Sequence, residues 1–265
     1  MRLFLEVKVS LVMKTNNKLL LLVLTHNCLN YTKRLFATTV YTRPHLWYFA
    51  DNASAWDTKE WLLTISSFSD VLVTYHAQNR GVAKGWNCAL DFAFSCAGIE
   101  VAAVLNNDSL LHSKALSLML EVIESGKYHF VTATDVSGEV SRPEDVFNLD
   151  VPADSSFTEA PDFSCFMLDR FCWEKVGKFD ESFYPAYFED NDYHYRAKLA
   201  KMPLVKYNRA LYFHYGSRTL TENKTVRDLV SKTYLGNKGY FIQKWGGEPG
   251  KEKFVVPFDG KGGVK

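Results

Sequence analysis

Cysteine is scarce in this chain, with five among 265 residues, and no two stand as a Cys-x-x-Cys pair. An odd count without paired spacing argues against a disulfide framework and against zinc ligation. Cys28, Cys88, Cys96, Cys165 and Cys172 read as reduced thiols. Charge of one sign is also missing. The 31 Lys and Arg nearly balance the 30 Asp and Glu, for a formal net charge of +1, so no global basic field exists to hold nucleic acid. Long apolar runs are absent as well. The N-terminal stretch "MRLFLEVKVSLVMKTNNKLLLLVLTHN" is broken by Glu6, Lys8, Lys14 and Lys18. It falls short of the ~20 residues of a membrane span, and no secretory h-region with a small-residue cleavage site follows. Residues 1–18 read as a tail or an extra edge strand, with Met13 as an alternative start. These absences point to a cytoplasmic protein with no transmembrane segment and with scope for peripheral membrane association. Finally, there is no internal repeat, no P-loop and no GxGxxG after the first apolar run, so the usual glycine-rich phosphate cradles do not apply.

What is present suits a large core. Hydrophobic residues make up 47% of the chain and aromatics 15%, enough for one large domain or one domain plus an appendage. Short apolar runs alternate with helical stretches through the first half. "KLLLLVLTHN" (Lys18–Asn27), "HLWYFADNAS" (His45–Ser54), "VLVTYHA" (Val71–Ala77), "VAAVLNND" (Val101–Asp108) and "HFVTATD" (His129–Asp135) read as strands. Helices are expected at Tyr31–Tyr41, at Asp57–Phe68 with Ser54 or Asp57 as cap and Glu60 at the capping-box position, at Val82–Gly98 closed by Gly98, and at Ser113–Gly126. Strands separated by helices of this length make βαβ units. The fold class is therefore α/β, a doubly wound and mainly parallel sheet with helices on both faces. Residues 136–161 read as a long surface loop or flap, followed by a strand and helix, an acidic helix start at Pro185–Ala200, and a strand ending at His214. The aromatic, glycine-rich tail from Tyr240 to Phe258 is expected either to lid a site or to close the sheet edge.

Sheets of this kind bind ligands beyond the carboxyl ends of their strands. Here those ends read Thr25-His26-Asn27, Asp51-Asn52-Ala53-Ser54, Gln78-Asn79-Arg80-Gly81 and Asn106-Asn107-Asp108. Four polar, amide- or acid-rich ends favour a site over ordinary turn chemistry. A nucleotide-site layout without a glycine-rich cradle needs another way to neutralise a diphosphate. A divalent cation is the obvious means. Asp108, with Asn106 two residues earlier, supplies the hard oxygen ligand that Mg²⁺ or Mn²⁺ prefers.

At these residues the chain resembles a family 2 glycosyltransferase of the GT-A fold, in the nucleotide-diphospho-sugar transferase superfamily. The matching segments are "LTHN", "DNAS", "NRGVAKGWN", "LNND", "VGKFDESFYPAYFEDNDYHYR" and "FHYGS", in order over roughly Leu19–Thr219. One departure is Asn106, where the family's Asp-x-Asp metal motif often begins with aspartate. The resemblance implies that Thr25 and Asn27 line the base pocket and that Asp51 contacts base or ribose. It implies that Asn79, Gly81 and Lys84 meet the nucleotide or its phosphates, with Asn106 and Asn107 beside them. Asp108 would bind the metal, with His214 completing its shell or touching phosphate. Asp190 would be the general base, with Glu189 next to it. The activity implied is inverting, metal-dependent transfer from a nucleoside-diphosphate sugar, a UDP-sugar being the first to test, to an acceptor hydroxyl. Glu189, Asp190 and Asp192 lie close enough for repulsion to raise a pKa, while the helix N-terminus pulls the other way.

Each residue alone has a plainer reading. Asp190 and Asp192 could charge an exposed first helical turn, with Asp192 and Arg196 as an i,i+4 pair. His26 and His214 could be satisfied strand-end histidines, and Trp47, Trp61, Trp86 and Trp173 core. Co-occurrence in order lifts the functional reading. A nucleotidyltransferase is disfavoured because "THNCLNYTKR" holds no glycine. A non-catalytic nucleotide-sugar or carbohydrate-binding relative would be expected to lack the acidic pair. The domain division expected is 1–18 tail, 19–135 nucleotide-sugar half, 136–220 acceptor and catalytic half, and 221–265 a C-terminal helix and aromatic tail. A saccharide or glycolipid acceptor is the default. A protein or modified nucleic-acid base is the alternative, for which Arg218, Lys224, Arg227, Lys232, Lys238 and Lys244 offer a modest basic excess.

Overall fold

The computed structural model describes residues 19–258; the N-terminal tail expected at residues 1–18 lies outside the described residues. The first apolar run forms β1 (Leu19–Thr25), followed by α1 (Leu29–Thr38), β2 (His45–Asp51), α2 (Trp56–Ile65), β3 (Val71–Tyr75), α3 (Gly81–Ser95) and β4 (Val101–Asn106). After these come β5 (Ser109–Leu111), α4 (Ala115–Glu124), β6 (Phe130–Asp135), β7 (Phe157–Thr158), β8 (Cys165–Asp169) and α5 (Arg170–Val176). The chain closes with α6 (Glu189–Leu199), β9 (Val205–His214), α7 (Arg218–Glu222) and α8 (Lys224–Trp245).

The nine described strands form one sheet in the order β3-β2-β1-β4-β8-β6-β9-β5, with β7 also on β9. Strands β3, β2, β1 and β4 are parallel, and so are β6 and β9; β8, β5 and β7 pair antiparallel with their neighbours. The pattern follows from burial on both faces. Along β1, Leu19, Leu21 and Val23 pack into one core with α1, α2 and α4, while Leu20 and Leu22 pack into the other with α3. A strand covered on both sides must be apolar at every position, and each buried leucine contributes about 1.5–3 kcal/mol.

Several expected boundaries move. The second helix has Ala55 as its N-cap with no side-chain cap; neither Ser54 nor Asp57 fills that role. Asn27 accepts the Ala55 N–H at 2.7 Å, and Ser54 Oγ accepts the Asn27 N–H at 2.8 Å. A tertiary tie between the first two strand-end loops thus replaces a local cap. The third helix stops at Ser95, and Gly98 sits beyond it in a turn with φ +89°. Residues Ser109–Leu111 form a strand, because β9 offers them an antiparallel partner from Tyr212 to His214. Residues 136–161 are not a featureless flap. They contain a 3-10 helix at Pro143–Asn148 and strand β7, and Val146 packs with Leu110, Val136 and Leu211 in a small core of its own. All five cysteines are free.

Candidate functional site

The carboxyl ends of β1 to β4 meet at one mouth, as parallel strands must. Asn52, just past β2, organises it. Its Nδ2 donates to Asn79 Oδ1 at 3.0 Å and to the Gly81 carbonyl at 3.2 Å, and its Oδ1 accepts the Arg80 N–H at 2.8 Å. Asn79 Oδ1 also accepts the Gly81 N–H at 2.8 Å. Three residues that read as turn formers are therefore one network that aims the start of α3. Gly81 is glycine for two reasons. Its φ is +76°, and a Cβ there would lie 2.7 Å from the Pro185 carbonyl oxygen. That close approach, with the Val82 N–H donating to Pro185 O at 2.8 Å, brings the loop before α6 onto the mouth and places Glu189 and Asp190 in it.

Asp108 and His214 share this mouth. Asp108 follows β4 and is 5% exposed. Its Oδ1 lies 3.1 Å from His214 Nε2, and its Oδ2 accepts the Arg218 N–H at 3.0 Å. Burial pushes its carboxyl up, but His214 and the Arg218 amide outweigh that, and the net position is below the ordinary aspartate value. For His214, burial pushes the imidazole down, and Asp108, Asp162 and Asp135 together bring it above its ordinary value.

A cleft of about 290 Å³ opens here. Asn79, Gly81, Asn106, Asn107, Asp108, Glu189, Asp190 and His214 all line it, as does His26. Thr25, Asn27, Asp51 and Lys84 are not among its lining residues. Lys84 is on the surface with Glu181, 2.8 Å away. Thr25 and Asp51 are fully buried; with Tyr75 they make a cross-strand row at the ends of β1, β2 and β3. Both Asp51 oxygens accept the Ser54 N–H, while Thr25 Oγ1 and Tyr75 OH are buried with no hydrogen-bond partner among the described residues. Orphaned polar atoms of this kind cost free energy unless something else satisfies them.

The acidic cluster divides in two. Asp192 is fully buried away from the cleft, bonded to Arg196 Nε at 2.8 Å, Lys244 Nζ at 2.6 Å and Trp245 Nε1 at 2.8 Å. The i,i+4 pair with Arg196 is as expected, but the helix start is buried rather than exposed. Glu189 and Asp190 face the cleft. Glu189 Oε2 is buried with no partner among the described residues. Burial, and then the charge of Asp190, push the Glu189 carboxyl well above its ordinary value. Burial also raises Asp190, against the pull of the Asn191 N–H. Sequence reasoning missed Asp162, which lines the cleft and accepts the Tyr212 hydroxyl at 2.7 Å. "DFS" carries no signal beyond a loop. Trp245 neither lids the cleft nor closes the sheet edge; it packs with Phe183, Phe188 and Phe241 behind α6.

The lining residues bring four carboxyl groups, Asp108, Asp162, Glu189 and Asp190, two histidines, and no lysine or arginine. A polyanion entering such a cleft must bring a cation with it. Among the described residues no group of three or more His, Cys, Asp or Glu is placed to hold a metal. Asp108 and His214 form a two-donor set. That fits a hard or borderline divalent cation that completes its shell with phosphate oxygens and water.

The family model for glycosyl transferase family 2 matches residues 21–174, more than half of the chain. The chain belongs to glycosyl transferase family 2. No curated protein sequence matches it. Among solved structures, it is similar to the mannosyltransferase PcManGT from Pyrobaculum calidifontis, solved with GDP-Man and Mn²⁺. The TM-score is 0.52 at 15% identity, over 77% of this chain and 60% of that one. GalNAc-T7, solved with UDP, GalNAc and Mn²⁺, gives a TM-score of 0.60 at 12% identity, over 87% of this chain and 51% of that one. TarS from S. aureus gives 0.53 at 14% identity, over 74% of this chain and 36% of that one. Identities this low express a shared fold, and the fold is the GT-A type expected. The family match runs from within β1 to within α5 and includes the four strand ends. Asp190 and His214 lie beyond it.

Proposed function

We propose that this family 2 protein transfers a sugar from a nucleoside-diphosphate sugar to an acceptor hydroxyl, with inversion at the anomeric carbon and with a divalent cation. The observation that carries the reading is the cleft itself: Asp190 and the Asp108–His214 pair line it together, with no lysine or arginine among the lining residues. The solved complexes of similar proteins with GDP-Man and Mn²⁺, and with UDP, GalNAc and Mn²⁺, support it.

In this reading Asp108 and His214 hold the cation, which when bound supplies charge neutralisation for the leaving diphosphate. The Asn52–Asn79–Gly81 network, whose three residues line the cleft, positions the nucleotide. Asp190 accepts the proton of the acceptor hydroxyl as its oxygen bonds to the anomeric carbon, and the bond from that carbon to the diphosphate oxygen breaks on the opposite face. The raised position of Asp190 brings it closer to the pKa a base needs to work near neutrality. A saccharide or a glycolipid supplies the hydroxyl.

The test needs no knowledge of the acceptor. Nucleotide sugars of both anomeric types are incubated with protein and Mg²⁺, and the first-formed free sugar, with water as acceptor, is followed by proton NMR. The inverted anomer is expected, with its formation lost in Asp190→Asn. A retained anomer would remove the single-displacement reading.

A further inference from the structure

The cleft lining includes a second set of residues whose chemistry differs from that of the strand ends. It comprises Pro185, Ala186 and Tyr187 from the loop before α6, and Val226 and Val230 from the start of α8. These five side chains bring one hydroxyl and no charge. The backbone there is closed off too. Asn237 of α8 donates to the carbonyls of Ala186 at 2.9 Å, Tyr184 at 3.3 Å and Tyr187 at 3.4 Å. The Pro185 carbonyl accepts the Val82 N–H. All four loop carbonyls already accept hydrogen bonds from the protein. A subsite built for a polyhydroxylated ring keeps polar groups convergent on its ligand; this one spends them internally.

The loop's shape is enforced rather than relaxed. Tyr187 and Phe188 are both left-handed, with φ of +73° and +75°, a conformation that costs a non-glycine residue about 1–3 kcal/mol. Phe188 is turned into the core beside Phe241, and Tyr187 is turned to the cleft. Outward, the Tyr187 ring meets Tyr234 edge-on at 5.6 Å, and Tyr234 is itself 41% exposed. Tyr187 and Tyr234 thus link the cleft lining to the exposed surface of α8.

From this we propose that this second set of lining residues forms an acceptor subsite for an apolar alcohol. The hydroxyl presented to Asp190 is carried on an aliphatic or aromatic group that lies between Pro185–Tyr187 and Val226–Val230. The proposal rests on the glycosyltransferase reading for the role of Asp190, and it sets an apolar alcohol in place of the saccharide or glycolipid acceptor.

The probes are the straight-chain alcohols propan-1-ol, butan-1-ol, pentan-1-ol and hexan-1-ol. Their affinities are measured by saturation-transfer NMR in the presence of UDP and Mg²⁺. Wild type is expected to gain about fourfold in affinity per added methylene, the free energy of burying one CH₂. In Val226→Thr/Val230→Thr, a near-isosteric pair, the gain should fall below about twofold per methylene. The single Val226→Thr, at a half-buried position on the first turn of α8, should fall between and guards against misfolding of the double variant. UDP should raise the melting temperature of both variants as it does that of wild type. Three results overturn the proposal. They are an affinity independent of chain length; a dependence that survives unchanged in the double variant, placing the chain elsewhere; and a double variant that loses the UDP shift and keeps the chain dependence, making these valines part of the nucleotide site. If UDP shifts nothing while the alcohol series behaves as expected, the donor reading fails and the apolar subsite stands.

Discussion

Replacing Glu189 by glutamine should make the stability of this protein less dependent on pH, with the slope that one proton sets. Glu189 is buried at the first position of α6, its Oε2 has no hydrogen-bond partner among the described residues, and burial plus the charge of Asp190 raise its carboxyl well above the ordinary value of 4.5. In the unfolded chain it ionises near that ordinary value. Between the two values the folded state holds a proton that the unfolded state has released. Stability then falls as pH rises, by about 1.4 kcal/mol per pH unit for one proton. Below 4.5 both states are protonated and the contribution is constant. Glutamine keeps the shape and cannot ionise. Denaturant unfolding of wild type and Glu189→Gln at half-unit steps from pH 4 to pH 8 should give a stability difference that is flat at the acid end. It should grow by about 1.4 kcal/mol per unit above pH 4.5 in favour of glutamine, then level off where folded Glu189 ionises. A difference that is constant across the range would refute the reasoning, because Glu189 would then be charged in both states or satisfied by a partner.

Asp192→Ala should destabilise the fold by about 1–3 kcal/mol in denaturant unfolding, because Arg196, Lys244 and Trp245 Nε1 lose a fully buried common acceptor, while Lys244 keeps Asp180 at 2.7 Å and Arg196 keeps the Val176 and Lys178 carbonyls. Gly81→Ala should lower the melting temperature and abolish sugar release together: its Cβ would lie 2.7 Å from Pro185 O at a φ of +76°, so the loop carrying Asp190 must move away.

The sheet was legible because a strand buried on both faces has to be apolar at every position. "LLLLVL" and "VAAVL" leave little choice, and the polar residues that follow them mark the mouth. Where side chains answer to distant partners, local reading failed. The three residues of β5 are a strand only because β9, a hundred residues on, pairs with them. The start of α2 has no side-chain cap and is held by Asn27, which accepts the Ala55 N–H, instead of by Ser54 or Asp57. Asp192 could be matched to Arg196 by helical spacing, but Lys244 and Trp245 are more than fifty residues away. The same limit hid the site's periphery. Asp162 sits in an unremarkable loop. Val226 and Val230 read as ordinary helix positions, and only the packing of α8 against the Pro185–Tyr187 loop makes them cleft residues. Thr25 and Asp51 lie at the predicted strand ends, buried in the row beside the cleft instead of lining it.

The central claim is that Asp108 and His214 form one end of a cation-dependent diphosphate site. Its most direct measurement is the melting temperature of wild type and Asp108→Ala with UDP, GDP, dTDP and CDP, each with and without Mn²⁺. The account predicts that at least one nucleotide stabilises wild type only when the cation is present, by about 2.7 kcal/mol at a hundredfold excess over its dissociation constant, and that Asp108→Ala loses this stabilisation. A nucleotide that stabilises both proteins equally without metal would contradict it.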